Sequence, residues 1–396
     1  MSRDPVPPTE TSTAASVAPL SAPHAPGQHV EVFRIACSGP GDLRGVQALV
    51  EAGTLDPRRI VAVMGKTEGN GCVNDYTREY AAAAWCHFLA PHLGCTAAEA
   101  EQRVALVMSG GTEGVLSPHF TVFTRRPAAA APAHGEKRLV VGIAHTRDFV
   151  PEEIGRTPQI DATADAVRAA MADAGIAGAA DVHFVQVKCP LLTSAKVQDA
   201  LMRHAAPVTR DTYESMGYSR GASALGVAAA LGEVSRAALH DGVVLADWSL
   251  HSARASVSAG IELEGNVVVV LGEAAGSTSD LRIAHTVMRD AVDAASVRRL
   301  LRDAFGLDAD TDAAAIDRRL VNLLAKAEAS PDGRVRGARH TMLNDSDINA
   351  TRHARAAVGG VLASVVGATA LYVSGGAEHQ GPAGGGPVAA IVRVAP

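Results

Sequence analysis

Apolar positions along this chain fall into short runs separated by amphipathic stretches, the pattern of buried strands alternating with helices. From Val30, VEVFRIACSG reads as a strand and GVQALVEAG as a helix. IVAVMGKTEGNG follows as an apolar strand whose end delivers Lys66 into a Gly-rich turn. An Ala-rich helix about REYAAAAWCHFLAPHLG comes next, then the strand VALVMSGG and a turn from Ser109.

The order then returns. KRLVVGIAHTRDF is a strand, ADAVRAAMADAGI a helix, and VHFVQVKCPLL a strand with Lys188 near its end. SRGASALGVAAALGEV reads as a helix with Arg220 at its start, and GVVLADWSLHSARASVSAG as a strand leading to a Ser-rich turn at Ser252. A third pass begins at SDLRIAHTVMRDA, which repeats the Ile-Ala-His-Thr of 143–146 at 283–286. RRLVNLLAKAEA presents Lys326, TRHARAAVGGVLASVV is a helix with Arg355 early in it, and TALYVSGGAEHQGPAGGG is a strand turning at Ser374.

Three segments of roughly 100 to 140 residues thus repeat strand, helix, Lys-bearing strand, Arg-led helix and Ser-ending strand, a period too long for a solenoid. The predicted fold is α/β: three similar α/β repeat units around a pseudo-threefold axis, with the active site at the centre where strand ends converge. The units run over 30–134, 135–276 and 277–396. Residues 1–29, rich in Pro, Ala, Ser and Thr, are expected to be a disordered tail without a secretory signal pattern.

Composition narrows the picture. Of 396 residues, 47% are hydrophobic and 20% charged, enough apolar material for a sizeable core. The net charge of −6 argues against a nucleic-acid or anionic-membrane surface. Five cysteines (Cys37, Cys72, Cys86, Cys95, Cys189) are too few and odd in number for a disulfide framework, so a reduced, cytoplasmic setting is expected. Cys86 and Cys95 lack zinc-ligand spacing. No apolar run of about 18 residues exists to form a membrane span.

Lys66 in MGKTEGNG invites a phosphate-loop reading, but position 60, where that loop needs glycine, is Ile. Each of Lys66, Lys188 and Lys326 alone reads as an exposed strand-end lysine. At one place in three repeats, each with a later Arg and Ser, they read as a site. The apolar flanks of Lys188 would desolvate its ammonium and fit it for general-base work. Ser109 and Ser374 stand in identical Ser-Gly-Gly triplets, whose glycines would let backbone approach a ligand. Ser252 has rivals in Ser256 and Ser258. No Gly-x-Ser-x-Gly elbow accompanies any of them. The stretch 377–386, AEHQGPAGGG, reads by itself as a plain tight turn, or, with a carboxylate nearby, as a set of oxygen donors for a hard divalent cation.

Taken together, VAVMGKTEGNGCVNDYTREYA, VMSGGTEGVLSPH, FVQVKCPLLT, DTYESMGYSRGASALG, SAGIELE, AKAEASPDG, RHTMLNDSDIN, TRHARA and YVSGGAEHQGPAGGG resemble the cyanuric acid hydrolase and barbiturase family of ring-opening cyclic amidases. The resemblance spans the chain from about Val30. It implies three Lys–Ser dyads, Lys66 with Ser109, Lys188 with Ser252 and Lys326 with Ser374, and three substrate arginines, Arg78, Arg220 and Arg355. Ser109-Gly110, Ser252-Ala253 and Ser374-Gly375 would grip the ring oxygens. Ser252 would be the nucleophile and Lys188 its base. Glu328, with oxygens of Ala377, Gln380, Gly381, Pro382 and Gly385, would hold a structural Mg²⁺ or Ca²⁺. The family implies a homotetramer, no organic cofactor, and ring opening of cyanuric acid to carboxybiuret, then biuret and CO₂, in s-triazine degradation. The alternatives are a barbiturase and a non-catalytic binder of a symmetric cyclic imide. Threefold substrate symmetry matches the threefold repeat: cyanuric acid alternates three carbonyls with three N–H groups, whereas barbituric acid replaces one N–H by CH₂.

Overall fold

The computed structural model describes residues 27–128 and 135–394. The expected tail lies outside these residues, apart from its C-terminal end. There the structure corrects the boundary, because Gln28 and His29 already belong to the first strand.

The first unit contains β1 (Gln28–Ala36), α1 (Arg44–Glu51), β2 (Ile60–Thr67), α2 (Tyr76–Leu93), α3 (Ala97–Arg103), β3 (Ala105–Gly110) and β4 (His119–Pro127). The second contains β5 (Arg138–His145), α4 (Thr157–Ala174), β6 (Val182–Cys189), α5 (Ser194–Met202), α6 (Thr212–Ala230), β7 (Ala255–Ala259) and β8 (Val267–Ala274). The third contains β9 (Leu281–Met288), α7 (Ala294–Phe305), α8 (Ala313–Arg319), β10 (Leu320–Ala327), the small hairpin β11 (Arg334–Val335) and β12 (Ala338–Arg339), α9 (Ala350–Val366), β13 (Tyr372–Gly375) and β14 (Gly386–Arg393).

Each unit builds one four-stranded sheet with the same topology: β1-β4-β2-β3, β5-β8-β6-β7 and β9-β14-β10-β13. The last pair of each is parallel and the other pairs antiparallel. Even the irregularity recurs, a one-residue register shift at Ile60/Ala62, Val182/Phe184 and Leu320/Asn322. The strand of each sheet that lies between the first strand and the Lys-bearing strand (β4, β8, β14) is absent from the repeat order read from sequence.

Both faces of each sheet are covered. One face packs on the unit's own helices. The other joins a shared core, where Val32 and Met64 meet Val141, Phe184 and Leu271 and, from the third sheet, Ile283, Leu324 and Ile391. Double burial explains why the strands read as nearly unbroken apolar runs. Local chemistry sets the element ends: Asp75 caps α2 by accepting from the Thr77 N–H, and Gly94 closes it in the left-handed conformation (φ 62°).

Two stretches depart from expectation. Arg220 lies in the middle of α6, not at its start, because Asp211 caps that helix a full two turns earlier. The segment 241–250 is a run of short turns rather than a strand, and the strand itself is Ala255–Ala259.

Candidate active site

The parallel strand pair of each sheet sets one lysine directly beside one serine. The register partners are Lys66 and Ser109, Lys188 and Ser258, and Lys326 and Ser374. Lys66 Nζ and Lys326 Nζ each donate to their serine Oγ at 3.2 Å. Beside these pairs lies a small central cavity, lined among others by Arg78, Arg220, Arg355, Ser109, Ser258, Ser374 and Lys188. Gly110, Ala259 and Gly375 complete the wall beside the serines, with Gly71 and Met216.

The Ser252-Ala253 assignment is therefore corrected to Ser258-Ala259. Ser252 precedes the start of β7, whereas Ser258 stands near its end, in register with Lys188. Ser252 Oγ accepts from the backbone N–H groups of Arg254 and Ala255, both at 3.1 Å, and Ala253 N–H donates to Glu233. Taking 241–250 as strand puts its end six residues too early. Ser256 is also excluded from the cavity, since its hydroxyl donates to Gln186 Oε1 at 2.7 Å. The missed signal was a recurring Ser-x-Gly-x-Glu: Ser-Gly-Gly-Thr-Glu at 109–113, Ser-Ala-Gly-Ile-Glu at 258–262 and Ser-Gly-Gly-Ala-Glu at 374–378.

The glycines after the serines line the cavity wall and have a second, steric reason besides. A Cβ on Gly110 would lie 1.8 Å from Asp75 Oδ2, and one on Gly375 would lie 2.3 Å from Thr351 Cγ2. The helix N-termini that bring in the arginines need that space.

All three lysines are buried, at 0%, 1% and 1% exposure, so Lys188 is not singled out by desolvation. Burial, with the neighbouring guanidinium of Arg355, pushes Lys66 well below the ordinary lysine value. Burial and Arg220 do the same to Lys326. Burial also lowers Lys188, but Glu262 Oε1, 3.2 Å from its Nζ, works against that shift. Lys188 further donates to the Met108 carbonyl at 2.9 Å. The arginines are held rather than free: Arg220 by Glu378 and Arg355 by Glu113, each through two hydrogen bonds of 2.5 and 2.7 Å.

Comparison with known proteins agrees with this geometry. The family model described as amidohydrolase ring-opening protein matches residues 31–393. The chain belongs to that family. Among relatives of these ring-opening amidohydrolases, the cyanuric acid amidohydrolase of Pseudomonas sp. (strain ADP) is 64% identical over 365 residues, 92% of this chain and 99% of that one. The cyanuric acid amidohydrolase of Bradyrhizobium diazoefficiens is 62% identical over 366 residues, 92% and 98% of the two chains. A solved cyanuric acid hydrolase, described as arising by structural concatenation, superposes with a TM-score of 0.90 at 63% identity, covering 93% of this chain and all of that one.

The loop 377–385, expected to hold a cation, folds behind the third serine and packs against Glu328. Glu328 Oε2 accepts from Gly384 N–H at 3.0 Å. Burial and the nearby Glu378 carboxylate push Glu328 up to about 7. A buried carboxylate beside a second one is a cation-favouring arrangement, and the backbone carbonyls of the loop are hard donors. The Gln380 side chain is already committed, its Oε1 accepting from Val257 N–H and its Nε2 donating to Gly376 and Glu378 carbonyls. Gln380 thus has its backbone carbonyl to offer. Among the described residues no cluster of three His, Cys, Asp or Glu side chains forms a metal site, and no helix is long and apolar enough to cross a membrane.

Proposed function

We propose that this protein hydrolyses the ring of cyanuric acid, with Ser258 as nucleophile and Lys188 as its base. The observation carrying this reading is the triple Lys–Ser register around one small cavity, a donor array matched to a ring with three equivalent carbonyls. Relatives more than 60% identical bear the name cyanuric acid amidohydrolase.

In this mechanism Lys188 Nζ, neutral, takes the Ser258 hydroxyl proton as Oγ bonds to a ring carbonyl carbon. The oxyanion collapses, the ring C–N bond breaks, and the Lys188 ammonium returns the proton to the departing nitrogen. Water then attacks the acyl-enzyme, giving its proton to Lys188 and its oxygen to the carbonyl carbon. Cleavage of the ester, with that proton passed to Ser258 Oγ, releases carboxybiuret, which loses CO₂ to give biuret. Ser109 and Ser374, backed by Lys66 and Lys326, hold the other two carbonyls, and the three arginines offset charge that builds on the ring.

Glu328 and carbonyls of the 377–385 loop would hold a divalent cation with a structural role. That loop backs β7 through Gln380 and so steadies Ser258.

The test is turnover of cyanuric acid by purified protein, followed by its ultraviolet absorbance, with barbituric acid in parallel. Loss of a hydrogen-bond partner in a desolvated site costs about 1–3 kcal/mol, so barbituric acid should turn over more slowly. Binding without turnover of either ring would make the protein a binder, and faster turnover of barbituric acid would make it a barbiturase.

A further inference from the structure

The glutamates of the Ser-x-Gly-x-Glu repeats break the threefold symmetry at one place. Glu113 of the first unit holds Arg355 of the third, and Glu378 of the third holds Arg220 of the second. The same cyclic order assigns Arg78 of the first unit to Glu262 of the second. That pair is not closed. Arg78 sends Nη2 to the Cys72 carbonyl at 2.9 Å instead, and Glu262 turns Oε1 to Lys188. Among the described residues, neither Arg78 Nε nor Glu262 Oε2 has a hydrogen-bond partner, although both are buried. No carboxylate forms an ion pair with Lys66 or Lys326 among the described residues.

We infer that Glu262 is a positioning residue that selects the second of three similar dyads for chemistry, by holding the Lys188 ammonium formed when Ser258 gives up its proton. This rests on the reading of Lys188 as base. In each half-reaction a proton reaches Lys188 Nζ and leaves it again, while Glu262 stays a carboxylate, so Glu262 adds no step of its own. A lysine desolvated without such a partner binds a proton too weakly to take one from serine, which leaves Lys66 and Lys326 as hydrogen-bond donors to their serines. The free Glu262 oxygen lets the carboxylate follow the ammonium as it moves toward the leaving nitrogen.

The charged and titratable groups facing Lys188 are Glu262, Arg78 and Cys189, and Glu101 of α3 faces Glu262. Glu262 raises the Lys188 value and Arg78 lowers it. Removing the carboxylate therefore lets Lys188 lose its proton at lower pH. In Glu262→Gln the acid limb of the kcat/KM profile should move to lower pH, and the plateau should fall by about tenfold or more. Glu113→Gln, which loosens Arg355, should raise KM and leave the acid limb in place. If Glu262→Gln does not fold, Glu262→Asp carries the test with a smaller shift in the same direction. An unmoved limb in the Glu262 variants, or an equal shift in Glu113→Gln, overturns the inference while the dyad reading survives. Full turnover by Lys188→Ala overturns both.

Discussion

Five cationic side chains, Lys66, Lys188, Lys326, Arg78 and Arg355, are almost wholly buried at the centre of the molecule, and Arg220 is largely so, an arrangement that serves ligand binding at the expense of stability. Lys66 shows the cost most plainly, since Ser109 is its hydrogen-bond acceptor and Arg355 and Lys326 repel it. Its value in the folded protein lies well below 10.5, so the unfolded chain binds more protons over the interval between them, and stability rises with pH there. Lys66→Met should raise Tm at neutral pH, with the gain shrinking as pH approaches 10.5, while KM for cyanuric acid rises by about tenfold. Melting curves across pH with parallel kinetics check both, and a lower Tm at neutral pH contradicts the account. The two candidate serines separate in the same way. Ser258→Ala should abolish turnover, about a thousandfold or more, while still binding ligand. Ser252→Ala should instead lose about 1–3 kcal/mol of stability, because buried donors at Arg254 and Ala255 lose their acceptor, and its folded fraction should turn over normally. Trapping and peptide-mapping the acyl-enzyme decides between them: a label on Ser252 restores the original assignment.

At the scale of elements, the loop at 377–385 is tied down from several sides. Ser252 N–H donates to the His379 carbonyl at 2.9 Å, and Gly381 N–H donates to the Ser252 carbonyl at 2.8 Å. Leu245 N–H donates to His379 Nε2, so Nδ1 carries the proton that goes to the Leu250 carbonyl. Ser252 is thus a clasp for this loop. If the loop and Glu328 bind a divalent cation, adding Mg²⁺ or Ca²⁺ to chelator-treated protein should raise Tm, and Glu328→Ala should remove that response. Equal melting with and without the ions would refute the proposal. The helix–strand junctions are as exacting. Gly110→Ala would drive Cβ into Asp75, the cap of α2, and so displace Arg78, the third residue of that helix. Loss of both stability and substrate affinity is expected, by melting and KM, whereas Ala259 shows that the second unit has room for a methyl at this place.

For the whole molecule, the three sheets depend on one another because their inner faces share a core. Gln28 illustrates the coupling: its Nε2 donates to the Asp173 carbonyl and its Oε1 accepts from Val141 N–H, joining β1 to the second unit. Truncation of residues 1–26 should leave activity within about tenfold of the full chain, roughly 1.4 kcal/mol. Removing 1–29 should lower Tm as well, since it takes the first two residues of β1 and this bridge. Identical melting of the two truncations would show that the bridge contributes nothing.

The chain's local chemistry determined a good part of this. Doubly buried strands need long apolar runs, so β2, β6 and β10 and the lysines at their ends were legible, as were the arginines, Ser109 and Ser374. Repetition of those residues disclosed three α/β units, and motif strings carried the family. What neighbouring residues do not encode is which strand a short apolar run joins. GVVLAD looks like a strand but packs as turns, whereas ASVSA becomes β7 because β6 offers it a parallel edge. That pairing, made across some 70 residues, placed Ser258 rather than Ser252 beside Lys188. The equal burial of the lysines and the turning of Glu262 away from Arg78 likewise arise where three units meet. Contacts between distant segments set them, and no window of sequence contains such contacts.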